Sequence, residues 1–541
     1  MSNTPKVAPL SVIEQSGPRT AHDGDSLARL GKNSVLKRNF GFLTILGFSC
    51  TVLITWEGSL ILFLSGLSNG GPAGIIYGFL VVWAGTLSIF ATLSELASMA
   101  PTSGGQYHWA SMLAPASSRK FIGYITAWLT LTGWQSLLAS GGHVTGTLIQ
   151  GLIVLTHPDY LENWKDWHGT LLFWAVILLT IVINTVIGSV LAKFEGFVLV
   201  VHLLGFCGVM LPLLMLGEHA DSSFVFETFL NLGEWKTQGL SFCVGILGNI
   251  FAFLGGDGAI HMSEEIRNAS LVIPRSLMTG IMINGTLGFG MLVATLYCMG
   301  DIEEALMVNP TYPFMAIFHR AVGSTSAAAA MSAFVVVMAF SATTGCVAST
   351  SRIYWAFARD NGLPFSEFIC QINPRTSIPL NAVVISAVIA CILALVNIGN
   401  AVAFHGVISI AIAGLFGSYF VVAVLLLYRR LNGTIYLPSE DDTITNTPGA
   451  RLTWGPWRLP GAFGIANNVF TCAFVLFVFF FSFWPSTSKV TPSSMNWAVL
   501  VTPVVLMSCV FYYVIWARHV YKGPIIEFER QQQLLYGNAE G

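Results

Sequence analysis

Twelve apolar runs divide this chain, each close to or above the ~20 residues that one helical crossing of a bilayer requires. They lie at approximately 41–67, 72–99, 121–155, 169–191, 194–217, 240–264, 276–299, 325–357, 380–397, 402–428, 463–484 and 495–517. Backbone that crosses lipid must satisfy its own hydrogen bonds, so such runs fold as helices. The expected fold is an all-α polytopic membrane protein. The third and eighth runs exceed one crossing, and the boundary between the ninth and tenth falls at Gly399-Asn400.

Hydrophobic residues make up 54% of the chain and charged ones 10%, far from the soluble norm. A formal net charge of −2 points to neither nucleic acid nor an acidic surface as a partner. The nine cysteines are scattered, mostly in apolar runs, without metal-ligand spacing or a disulfide framework. No metal and no cofactor is called for. The polar N-terminus lacks the apolar core of a cleavable signal peptide, so residues 1–39 read as a cytosolic disordered tail and 520–541 as a cytosolic C-terminal tail.

Twelve crossings put both termini on one face. With the tails and alternate loops assigned to the cytosol, 21 Lys and Arg fall inside and only Lys165, Lys236, Arg320 and Lys489 outside. That asymmetry follows the positive-inside rule. A miscount by one span would scramble it.

Two spans are interrupted. In the sixth, Gly255, Gly256, Asp257 and Gly258 break the run, and each glycine costs a helix about 1 kcal/mol relative to alanine. In the first, Ile54-Thr55-Trp56-Glu57-Gly58 places a carboxylate mid-span. Unwound backbone at membrane depth survives only where protein or a wet cavity satisfies it. Two broken spans five apart are the pointer to an inverted repeat with a binding site at the midplane. Repeat one would cover 40–217 and repeat two 240–430, with peripheral spans over 463–519. The alternative for the sixth span is a glycine-packed kink with Asp257 bonded internally.

Three ordered motifs then become specific. They are Glu95-Leu-Ala-Ser-Met-Ala-Pro101-Thr-Ser-Gly104-Gly105-Gln-Tyr107, then His261-Met-Ser-Glu264-Glu265-Ile with Pro274-Arg275, and Ser351-Arg352-Ile-Tyr354 through Arg359-Asp360-Asn-Gly362-Leu-Pro364. Residues 40–520 resemble the amino acid–polyamine–organocation (APC) transporter superfamily, in particular fungal amino acid, γ-aminobutyrate and choline permeases. The resemblance implies the LeuT-type fold, with five-plus-five inverted repeats plus two peripheral helices, and secondary transport. The chain departs from the pattern at Trp56 and Glu57, since the broken first span of that family is usually glycine-rich and uncharged. Thr343 and Thr344 match positions that ligate sodium in some proteins of this fold; the family favours a proton as coupling ion.

The expected substrate-binding residues are Thr55, Trp56, Glu57, Gly58 and Ser59 with Phe251, Phe253, Gly255, Gly256 and Asp257. Three readings compete for Glu57 and for Asp257: binding an ammonium, taking up the coupling proton, or bracing a broken helix. Trp56, Phe251 and Phe253 offer aromatic faces to an alkylammonium, or are ordinary packing residues. An amino acid's amine would meet free carbonyls where the first half-helix stops. Its carboxylate would meet free amides near Gly58 and Ser59. His143, His202 and His405 sit inside spans as packing residues or proton relays, His143 marked out by Gly141-Gly142. Glu95, Lys193, Glu264, Glu265, Arg352 and Arg359 form either an inner gate or static topology anchors.

The leading expectation is a proton-coupled importer of an amino acid or small organic amine (γ-aminobutyrate, choline or polyamine class) working by alternating access. It would lie in the plasma membrane, with the vacuolar membrane as the alternative. A transporter-like nutrient sensor with little flux is a second reading. A membrane-embedded enzyme is a third, disfavoured because no nucleophile–base pair, metal cluster or phosphate-binding loop is found.

Overall fold

In the computed structural model, which describes residues 27–186, 191–301, 307–309, 311–399, 401–439, 443–492 and 494–527, the apolar runs are helices. Eleven helices among the described residues are long and apolar enough to cross a membrane. Extended pairing among them is limited to isolated bridges such as Phe40 with Ile266. The opening span comprises α1 (Phe42–Leu53) and α2 (Thr55–Ile61). Then come α3 (Phe63–Met99), the short α4 (Gln106–Leu113), α5 (Arg119–Thr156), α6 (Asp166–Thr185) and α7 (Leu191–Leu216). The sixth crossing is too fragmented to count as one helix: α8 (Gln238–Gly245), α9 (Leu247–Phe251) and, after a stretch of turns, α10 (Gly258–His261). There follow α11 (Ala269–Tyr297), the short α12 (Pro313–Val322), α13 (Thr325–Arg359), α14 (Leu380–Leu393), α15 (Ala401–Leu431), α16 (Gly461–Phe481) and α17 (Ala498–Tyr512). Ten continuous helices and the broken opening span make up those eleven, and the fragmented run stands where the sequence places the remaining crossing.

The long third and eighth runs are single helices of 38 and 35 residues. At 1.5 Å per residue both overrun the ~30 Å hydrocarbon layer. Asn400 and the basic residues Lys6, Arg19 and Arg530 lie outside the described residues, as do Glu303, Glu304 and the side chain of His405.

Burial separates a core from a periphery. The apolar window of the opening span is 89% buried within the protein, against 33% for α16 and 17% for the last span. Leu178, Phe197 and Phe511 are exposed on outward helix faces, where lipid rather than water is the solvent. The two broken crossings therefore sit inside a jacket of whole ones. The first and last described segments adjoin: Glu527 N donates to Gly31 O (2.7 Å), and Asn33 N to Glu527 Oε2 (2.8 Å). An even number of crossings brings the ends to one face.

Candidate functional site

Each interruption has its own local cause. In the opening span the helix stops at Ile54, which adopts φ 36°, ψ 46°, a left-handed conformation that a β-branched side chain resists. Ile54 N still donates to Cys50 O, and Gly58 N to Ile54 O. Between them the ladder is skipped, which frees the carbonyls of Thr51, Val52 and Leu53 and the amides of Trp56 and Glu57. The Thr55 amide turns to Asn284 Oδ1 on α11 (3.4 Å). The break thus falls on Ile54, the first residue of the expected interruption, and ahead of the expected binding residues. Thr55 to Ser59 are the first turns of α2, and the amides of Gly58 and Ser59 are already within the helix.

In the sixth crossing the chain tightens into turns, with Phe253 N bonded to Ile250 O and Leu254 N to Phe251 O, before Gly255 swings to φ 90°. A Cβ on Gly255 would lie 2.8 Å from Val52 Cγ1, so this glycine permits both the backbone turn and the contact between the two breaks. Gly256 is packed similarly tightly against the Phe90 ring.

A cavity of about 40 Å³ lies where the breaks meet, bounded by Ile54 and Gly58, Phe251 and Leu254, Gly141 on α5 and Thr343 on α13. That is room for about one water. Of the ten expected substrate-binding residues, Gly58 and Phe251 line it. Ile54, Gly58 and Ile61 share one face of α2, whereas Glu57 is rotated about 100° from Gly58. Glu57 instead faces α7, where its Oε1 lies 2.9 Å from His202 Nδ1; Trp56 Nε1 lies 3.2 Å from the same nitrogen. All three side chains are fully buried. Phe253 packs on Phe79 with ring centroids 5.0 Å apart, and the Ser59 hydroxyl donates to Thr55 O. Asp257 points toward the face carrying the chain ends, where Gln106 Nε2 donates to its Oδ2 (2.8 Å) and Trp134 Nε1 approaches it (3.4 Å).

A second buried carboxylate facing the opening span is Glu195 on α7, whose Oε2 accepts from the Thr51 hydroxyl (2.7 Å). An acid inside the fifth apolar run was its only sequence signal. The half-buried His143 lies on α5 beside the cavity-lining Gly141.

Below Asp257 the expected gate residues sort into separate contacts. Arg359 grips Glu264 through two hydrogen bonds, 2.9 and 3.0 Å, and stacks over Trp355. The Ser103 amide also donates to Glu264 Oε1 (3.2 Å). Arg352 bonds Glu265 at 2.8 Å, and Lys32 lies 3.8 Å from Asp360. Glu95 belongs elsewhere, pairing with Arg430 on α15 and accepting from Leu459 N. Lys193 is exposed and joins no ion pair among the described residues. The main-chain pairing of Phe40 with Glu265 and Arg267 ties the entrance of the opening span to this layer.

The sequence has relatives among known proteins. The amino acid permease family model matches residues 40–506. A choline transporter of Saccharomyces cerevisiae is 29% identical, the match covering 98% of this chain and 90% of that protein. Amino-acid permease 2 of Neurospora crassa is 25% identical over 97% of this chain and 94% of its own length. Amino-acid permease BAT1 of Arabidopsis thaliana is 26% identical over 92% and 95%. With a family model spanning nearly every crossing, a polytopic helical fold and two broken spans at its centre, this multi-pass membrane protein belongs to the amino acid permease family of the APC superfamily.

Proposed function

We propose that this permease is a proton-coupled importer of an amino acid or small organic amine, the solute binding at the cavity between the two broken crossings. The observation that carries the reading is the meeting of both breaks at one cavity. Free carbonyls at the end of α1 offer a site to an ammonium, and free amides at the start of α2 offer one to a carboxylate. The names of the relatives, choline transporter and amino-acid permease, agree with that solute class. A cavity for about one water must widen to admit any of these solutes, so transport requires the helices around it to move. In this reading the five-plus-five repeat supplies the moving bundles, the inner gate is the Glu264–Arg359 layer, and the termini face the cytosol at the plasma membrane.

The test is uptake of radiolabelled choline and a radiolabelled amino-acid mixture into proteoliposomes. Accumulation is expected under an imposed pH gradient without sodium; a strict sodium requirement refutes proton coupling.

Glu57 takes the bracing role here, because its partner is His202 and it does not line the cavity. Glu57→Gln keeps a hydrogen-bonding group at His202 and should alter the half-saturating solute concentration less than threefold. Glu57→Leu removes one of the two partners of a buried imidazole, leaving it Trp56, at a cost of about 1–3 kcal/mol, and should lower the melting temperature as well as uptake. A tenfold rise in half-saturation for Glu57→Gln at unchanged melting would return Glu57 to the solute site.

A further inference from the structure

His261 sits one turn beyond Asp257 on α10, and both side chains are fully buried. The ring's Nδ1 lies 3.1 Å from the carbonyl oxygen of Ser103. A carbonyl only accepts, so Nδ1 carries the hydrogen, and in the neutral ring Nε2 is bare. That bare nitrogen faces Asp257 Oδ2 at 3.7 Å and has no hydrogen-bond partner. The other carboxylate oxygen, Oδ1, is also buried without one. Two acceptors thus confront each other inside the protein. A proton between them turns repulsion into a charge-assisted hydrogen bond.

The surroundings make this pair the place where charge changes. Tyr419 on α15 interacts with the Asp257 carboxylate, and the Cys346 thiol on α13 is near enough to feel it. From α5 comes Trp134, from α4 Gln106, and from α1 the ring of Phe48 against Gly258; none of these titrates. Past the next turn lies Glu264, already neutralised by Arg359. No lysine or arginine pairs with Asp257 among the described residues.

The loop after α3 joins this pair to the gate. Ser103 is held from both sides, its carbonyl by His261 and its amide by Glu264 Oε1 at 3.2 Å. The Thr102 hydroxyl reaches the same carboxylate oxygen at 3.3 Å. A Cβ on Gly105 would lie 3.1 Å from His261 Cε1, so the loop also rests against the ring.

We infer that His261 Nε2 and Asp257 Oδ2 bind the coupling proton, and that the gate senses its arrival through Ser103. This rests on the proton-coupled reading above. The proton comes from water on one face, adds to the Nε2 lone pair and returns to water on the other face. No covalent heavy-atom bond is made or broken, and the pair gains one unit of charge while loaded. In the unloaded pair, repulsion pushes the ring toward Ser103; in the loaded pair, attraction draws it back toward Asp257.

The experiment compares wild-type protein with His261→Gln and Asp257→Asn in proteoliposomes, using labelled choline and a labelled amino-acid mixture. In both variants, accumulation driven by a pH gradient should fall at least tenfold further than gradient-free exchange does. Gradient-driven accumulation that survives in both removes the proton from this pair; absence of any pH drive in the wild type overturns proton coupling itself. A second measurement needs no solute. In ¹⁵N-histidine NMR, the signal that vanishes in His261→Gln should report the Nδ1–H tautomer and titrate, and in Asp257→Asn its titration should move or disappear. An Nε2–H tautomer, or a signal that Asp257→Asn leaves untouched, overturns the assignment.

Discussion

Replacing Arg359 by glutamine is expected to speed labelling of the cavity from the face that carries the chain ends by at least tenfold. The cavity supplies its own reporter, because Cys346 lines it. In a background where the other eight cysteines are replaced, a maleimide added to that face reads how often the gate opens. Glu264 is 1% exposed and takes two hydrogen bonds from Arg359. Stranding a buried carboxylate this way costs about 3–5 kcal/mol, on the order of a hundredfold or more in the ratio of closed to open states. A rate equal to the parent's would make the pair a static anchor. Combining Glu264→Gln with Arg359→Gln should recover part of the closure, since neither partner then leaves an unpaired buried charge.

The second large effect belongs to Gly255. Alanine there meets Val52 Cγ1 at 2.8 Å in a backbone conformation, φ 90°, that side chains seldom adopt. Backbone strain of about 1–3 kcal/mol and overpacking of about 1–3 kcal/mol fall together on the junction of the two breaks. Uptake by Gly255→Ala should drop at least thirtyfold, with a lower melting temperature. Adding Val52→Ala should return the overpacking part only. Gly239, in the first turns of α8, has open space where its Cβ would sit, and Gly239→Ala should stay within twofold of the parent. Normal uptake by Gly255→Ala would mean that the contact between the breaks is dispensable.

The crossings were legible because lipid leaves a helix few alternatives, and long apolar runs announce themselves. The sixth break was legible for a similar reason: Gly255, Gly256 and Gly258 are poor helix formers in any context. The first was legible as an interruption of an apolar run, but the residue that turns the chain was not. Its single left-handed residue is Ile54, a choice no local propensity favours, and the surrounding packing imposes it. The sequence pointed instead to Glu57, three residues on, whose character is set by a partner 145 positions away on α7. Facing direction was likewise hidden. Glu57 and Gly58 are adjacent in sequence, yet one turns to His202 and the other to the cavity, and only the helix phase after Ile54 decides which. Asp257 and His261 stand four apart, a spacing that signals one helical face, but their significance depends on the carbonyl of Ser103 behind the ring. The structure pairs Glu264 with Arg359 and Glu265 with Arg352, while exposed Lys193 and distant Glu95 share with them only a place near a helix end.

The adjoining chain ends do more than meet. Glu527 comes within 3.8 Å of Arg359, Ile525 N donates to Asp360 Oδ1, and Lys32 approaches the same aspartate. Head and tail segments are thus clasped around the tip of α13. A protease that clipped either strap, or a bulky fusion that pulled one aside, would free the tip of that helix from outside the apolar layer, without touching either broken crossing.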